Sequence, residues 1–302
     1  MSGDEETSRH SRRQGARGVC TALISIRPDS GVPVLLLFAR DEMADREWLA
    51  PGPHWPRSPR LYGGMDLREG GSWLAVRAPG ADPALGAAGG DPVASSRARV
   101  ACLLNGIGRP APVERRLTRG RLPLAAAEGG LVHRFDLSRY DPFHLLTAEA
   151  GSAGVSLLSW DGTKLAEQRL GAGTHLVSNR GLEAEGAPLE QAPERAVRLI
   201  DARIRHFRPL LRDTPRPAPE PGRGTSRQAW GGWMQLAEGD GLDPGDVRAL
   251  VGRHDWGHGQ VWLTSSVSLV ALGRRRARYD VNLDPGADKW SEVDLSGPSS
   301  RE

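Results

Sequence analysis

Residues 19–42 read VCTALISIRPDSGVPVLLLFARDE. Two β-branched and Leu-rich runs, 19–26 and 32–40, flank Arg27, Pro28, Asp29, Ser30 and Gly31, a segment of turn formers. The pattern predicts a β-hairpin. Its strands are apolar at nearly every position, so both of their faces are expected to be buried. Antiparallel pairing across this turn brings residue 20 beside residue 40, and Asp41 follows directly. A cysteine does chemistry as its thiolate, which near neutral pH requires a positive neighbour or a base. Spacing alone leaves Cys20 two readings. One is a small core residue, the ordinary outcome for a cysteine in a strand. The other is a nucleophile with a guanidinium and a carboxylate at hand.

Working outward, residues 48–64, WLAPGPHWPRSPRLYGG, read as an ordered loop carrying Trp48, Trp55 and Tyr62, because each proline removes a backbone donor. Residues 70–78 and 97–109 read as strands separated by a flexible excursion at 79–96, rich in Ala, Gly and Pro. Shorter strands follow at 143–150, 154–161 and 173–179. A helix is expected over about 190–211, where Ala196, Leu199, Ile200, Ile204 and Phe207 recur at three- and four-residue spacing. After a Pro-rich connector near 212–226 come a short helix around 244–251 and two strands, 259–273 and 276–283, joined by a basic turn. Many strands with few, late helices indicate an α+β fold whose large antiparallel sheets are covered by helices.

The chain has 302 residues, 38% of them apolar, enough for one large domain or two small ones. Its 40 basic and 37 acidic residues nearly balance, only Lys164 and Lys289 are lysines, and no basic face with interleaved aromatics marks a nucleic-acid partner. Two cysteines, Cys20 and Cys102, allow one disulfide at most and form no metal-ligand pair; a reducing compartment is the simpler reading. Cys102 reads as a core thiol. Residues 1–18 are polar and charged, without the apolar stretch of a signal peptide, and no run reaches the roughly 18 apolar residues of a membrane span. A cytoplasmic protein is expected. His254 and His258 read as surface histidines of a glycine-containing loop rather than a metal site. The run GRRRAR at 273–278 reads as a solvated hairpin turn, and the pairs Gly63-Gly64 and Gly70-Gly71 as turns.

Several blocks, in order, resemble one family. VCTALISI at 19–26, ARDE at 39–42, YGGMDLREGGSWLAV at 62–76, VACLLN at 100–105, HLLTAE at 144–149 and HLVSN at 175–179 are similar to the NRDE family, which includes transport and Golgi organisation protein 2. The similarity runs from about residue 19 to 190 and continues more loosely through TSSVSLVALG. The namesake tetrad stands here as Ala39, Arg40, Asp41 and Glu42, so its Asn is absent. The resemblance implies the N-terminal-nucleophile (Ntn) hydrolase fold, an αββα sandwich of two packed antiparallel sheets flanked by helices, as a single domain over 19–302.

It also implies a chemistry. Cys20 would attack the carbonyl of a small-molecule amide or thioester, Arg40 would favour the thiolate, Asp41 would orient the α-amine that acts as base, and Asn105 and Asn179 would stabilise an oxyanion. Glu42, Asp66 and Trp73 would bind substrate at the mouth. On the residues alone the asparagines read first as strand-end turns or caps, and Trp73 as packing. No cofactor is implied for the hydrolase. The alternative on the same fold is a non-catalytic carrier of haem, acyl-CoA or lipid. Because 19 residues precede Cys20, the hydrolase scheme expects 1–18 to be a removed leader or a misplaced start, with initiation at Val19 and Cys20 exposed by trimming.

Overall fold

The computed structural model describes residues 19–80, 97–151, 154–183, 194–257 and 259–296. The leader, His258 and residues 81–96 of the expected excursion lie outside them. Strands β1 (Thr21–Ile26) and β2 (Val34–Met43) form the predicted hairpin, in register from Thr21 opposite Ala39 to Ile26 opposite Val34. Every β1 residue is buried. Alternation sends Ala22, Ile24, Leu36 and Phe38 into one core and Leu23, Leu35 and Leu37 into another. Strand β2 runs through the tetrad, so Arg40, Asp41 and Glu42 are strand residues with strand parity.

Six further strands complete the first sheet and seven form the second. The chain runs through β3 (Trp48–Gly52), β4 (Leu61–Asp66), β5 (Leu74–Arg77), β6 (Arg99–Asn105), β7 (Phe143–Glu149), β8 (Val155–Trp160) and β9 (Leu165–Leu170), which pair consecutively as a seven-stranded antiparallel meander. Strands β10 (Gly173–Ser178), β11 (Gly181–Leu182), β12 (Arg253–Asp255), β13 (Val261–Leu272), β14 (Ala277–Asn282) and β15 (Trp290–Glu292) join the hairpin. The order is β11, β10, β1, β2, β13, β14, β15, with β12 also on β13. One core, with Ile24, Phe38, Cys102 and Leu146, lies between the sheets. Helices α2 (Glu194–Asp213), α3 (Ser226–Trp230) and α4 (Trp233–Ala237) cover the outer face of the hairpin sheet, and α1 (Arg121–Ala127) covers the meander. The result is a helix, sheet, sheet, helix sandwich of the α+β class.

Four local readings need correction. Residues 48–64 hold β3 and β4 rather than a loop. Pro51 is tolerated because β3 is an edge strand with irregular register between Leu49 and Gly52. Gly63 and Gly64 lie inside β4, not in a turn. Residues 244–251 are turns without a helix, because Asp243 and Asp246 accept the amides of Gly245 and Arg248 at 2.7 and 2.8 Å, bonds that compete with helical pairing. His254 belongs to β12 and is half-buried rather than on a surface loop. The tip Arg274, Arg275 and Arg276 is exposed as expected, yet Arg278 is fully buried. No helix among the described residues is long and apolar enough to cross a membrane.

Arg278 organises the last third. Its Nε and Nη2 donate to Asp280 at 2.7 and 3.0 Å, and its Nη1 donates to the carbonyls of Glu220 and Arg223 at 2.7 and 2.8 Å, docking the Pro-rich connector onto β14. Asp280 also accepts the Trp230 indole at 2.7 Å and the Ser226 hydroxyl at 2.6 Å, which ties down α3. Removing one partner of such a buried pair strands the other charge. Asp280→Ala is therefore expected to cost about 3–5 kcal/mol in urea unfolding, and a loss below about 1 kcal/mol would show that the network is dispensable.

Candidate functional site

Thr21 pairs with Ala39 on one side and with Ser178 on the other. One residue earlier, Cys20 therefore sits between Arg40 and Asn179. Its side chain faces the space between the sheets, where a cleft of about 490 Å³ opens. The hairpin sheet contributes Cys20, Arg40, Asp41 and Glu42 to the walls; the meander contributes Asp66, Trp73 and Asn105. Asn179, buried just beyond β10, is not on those walls. Sequence spacing thus gathers the expected residues at one place, with Asn179 on the far side of the Cys20 backbone.

Arg40 is buried and held in a fixed pose. Its Nη1 donates to the Ser265 hydroxyl at 3.0 Å, and Nη2 lies 3.6 Å from Glu42 and 3.9 Å from Asp66. The guanidinium stacks on Trp73 at 3.8 Å, with Trp48 at 5.5 Å. Gly64 makes this stack possible, since a Cβ there would come within 2.4 Å of the Trp73 ring. Asp66 is engaged as well: Arg46 donates to both of its oxygens at 2.7 and 3.0 Å, and the amides of Arg68 and Glu69 donate to Oδ1. Trp73 packs on Arg40 while lining the cleft.

The Cys20 thiol donates to the Asp41 carbonyl at 3.7 Å. Burial pushes it up to about 12, helped by the Asp41 and Glu42 carboxylates, while a backbone hydrogen bond of Asp41 and the charge of Arg40 pull the other way. With Val19 attached, then, Arg40 does not make Cys20 a thiolate at neutral pH. Cys102 is fully buried in the same core, neither cysteine is in a disulfide, and burial pushes the Cys102 thiol up too. No group of three or more His, Cys, Asp or Glu placed to share a metal ion occurs among the described residues.

Residues 19–207 match the family described as Transport and Golgi organisation 2, a span of well over half the chain that holds the tetrad, the cleft walls from both sheets and most of α2. The chain belongs to that family. No curated protein matches it. In this member of the Transport and Golgi organisation 2 family, the matched span includes two residues to which the sequence reading gave no role, Arg203, outside every motif, and His144, which opens the block HLLTAE. Thr264 and Ser265 of β13, the partners of Asp41 and Arg40, lie beyond that span.

Arg203 is 2% exposed and occupies the apolar stripe of α2 with Leu199, Ile200, Ile204 and Phe207. A charged residue on that stripe was the available signal. Its Nη1 donates to the Val19 carbonyl, to Thr21 Oγ1 at 3.0 Å and to Asp41 Oδ2 at 3.0 Å. Asp41 points to this helix side, opposite to Arg40, and Thr264 lies 2.7 Å from its Oδ1. Burial pushes the Asp41 carboxyl up, and Arg203 is foremost among the groups that oppose the rise.

His144, on β7, bridges the sheets. Its Nδ1 is 2.8 Å from Ser159 Oγ and its Nε2 is 3.3 Å from the Asn179 carbonyl. That carbonyl only accepts, so the Nε2–H tautomer fits, with the Ser159 hydroxyl donating to Nδ1. Burial lowers His144 to about 4. The unfolded chain takes up this proton near pH 6.5 and the folded chain only near 4, so His144 favours folding above 6.5 and this contribution is lost between 6.5 and 4. The wild type is expected to lose on the order of 3 kcal/mol over that window through this residue. In His144→Gln the stability slope should flatten; an unchanged slope in urea unfolding against pH would refute the assignment.

Proposed function

We propose that the Cys20 cleft is the active site of an Ntn-type cysteine hydrolase acting on a small-molecule amide or thioester. The observation that carries the reading is the convergence of the Cys20 thiol, the Arg40 guanidinium and Asn105 on one cleft, with the Asp41 carboxylate buried beside the Cys20 backbone. In a chain that begins at Cys20, the α-amine takes the thiol proton and Sγ attacks the substrate carbonyl carbon. The Asn105 side-chain amide is the donor on the cleft wall for the resulting oxyanion, a contribution of typically about 3 kcal/mol. Collapse expels the amine or thiol, which leaves with the proton from the α-ammonium. Water then cleaves the enzyme thioester with the amine again as base. While residue 19 is attached, nitrogen 20 is an amide with no basic lone pair and burial holds the thiol protonated, so that form is expected to be inert.

Intact mass of the protein from its own host reports whether Cys20 carries a free amine, and iodoacetamide reads its reactivity. The form with a free amine should be alkylated stoichiometrically below pH 8, and Arg40→Ala should slow this. The form that retains residue 19 should react slowly at pH 7, with a rate that climbs about tenfold per pH unit toward 12. Asn105→Ala should lower kcat by about 10²–10³-fold with little change in KM. Equal labelling of the free-amine Cys20 and an unfolded control thiol at pH 7 counts against the hydrolase. A haem titration whose Soret shift disappears in Cys20→Ala would instead favour a carrier.

A further inference from the structure

The charged group closest to the Val19–Cys20 junction on the helix side is Arg203. Its hydrogen bond to the Val19 carbonyl places the guanidinium within about 5 Å of nitrogen 20, since the oxygen and nitrogen of one peptide are little more than 2 Å apart. The same Nη1 binds Asp41 Oδ2. The other carboxylate oxygen faces Thr264, whose hydroxyl also lies 2.9 Å from the Leu250 carbonyl and accepts the Gly252 amide at 2.9 Å. This hydroxyl has one hydrogen and two acceptors. When Asp41 is ionised the hydrogen turns to Asp41; when Asp41 carries a proton, it donates to Thr264 and the Thr264 hydrogen turns to Leu250. Both states keep the heavy atoms in place, so the pocket is built to hold Asp41 with or without a proton.

We propose that Arg203 is the positioning residue of this site: by holding Asp41 Oδ2 it sets where the carboxyl titrates, and through Asp41 it governs the protonation and orientation of the Cys20 backbone nitrogen. The functional meaning rests on the hydrolase reading, but the electrostatic content does not. The groups facing the Asp41 carboxyl are Arg203 from α2, Thr264 from β13 and His254 from β12, the last half-buried and lowered by that burial, while the thiol of Cys20, just before β1, meets the Asp41 backbone carbonyl. Arg203 is the one among them that pairs with Asp41 as a permanent cation.

The test uses the full chain with 13Cγ-labelled aspartate, the Asp41 resonance being assigned by its absence in Asp41→Asn. In Arg203→Met the Asp41 midpoint is expected to rise by about one to three pH units relative to wild type. Arg203→Lys, which keeps the charge, should retain most of the wild-type position, and that rescue separates electrostatics from packing. Should Arg203→Met fail to fold, Arg203→Gln carries the same test. An Asp41 midpoint unchanged on loss of the cation overturns the inference whatever Cys20 does. A shifted midpoint beside an unreactive, free-amine Cys20 supports it and overturns the hydrolase reading alone.

Discussion

Strand β2 is covered on both faces, and its register against β1 and β13 is the constraint on which the rest of the structure depends. A slip by one residue would move Leu35 and Leu37 out of the helix-side core and replace them with Leu36 and Phe38. At the polar end of the same strand it would exchange Arg40 for Asp41. Because the apolar part cannot slip, the charged part is indexed: Arg40 and Glu42 toward the cleft, Asp41 toward α2. Neighbouring residues of opposite charge are thereby held in separate environments, one against tryptophan and the other against arginine.

Each environment offsets a desolvation cost that would otherwise weigh on the fold. Arg40 gives up water for the face of Trp73, the Ser265 hydroxyl and two carboxylates at longer range. Asp41 gives up water for Arg203 and Thr264. Buried ion pairs are weak contributors to stability, so the value of this arrangement lies in what it imposes on the Cys20 backbone between them. His144 adds a third restraint by linking the meander to the Asn179 carbonyl, next to the same backbone.

Much of this was legible before any coordinates. The hairpin, its register and the stripe of α2 follow from local pattern, because buried strands and an amphipathic helix write their periodicity directly into the chain. The elements that escaped have physical reasons. Pro51 suppresses a strand reading, although an edge strand tolerates it. β9 shows four consecutive residues to solvent and so lacks alternation. In 244–251 aspartate turns compete with the helix that the composition suggests. In the site, hairpin spacing brings Cys20 beside Arg40 and the resemblance adds Asn105, whereas Arg203 reaches Asp41 from 162 residues away and no spacing rule connects them. Asn179 entered only through the resemblance, and which side of the Cys20 backbone opens onto the cleft is a property of how the two sheets pack.

Position 265 is a phase defect in an otherwise periodic lattice. Ser266 pairs with Arg40 and Thr264 with Asp41, leaving Ser265 unmatched. Above the defect, even-numbered residues of β13 share the side of Arg40; below it they share the side of Asp41. One strand thereby supplies Ser265 to the cation and Thr264 to the carboxylate on opposite sides of the sheet. A chain shortened by this one residue would still set Ser266 opposite Arg40 and Thr264 opposite Asp41, so the carboxylate would keep its hydroxyl while the guanidinium would lose Ser265. Two sheets with identical topology and pairing would then differ in how firmly the cation is held, through a count of one.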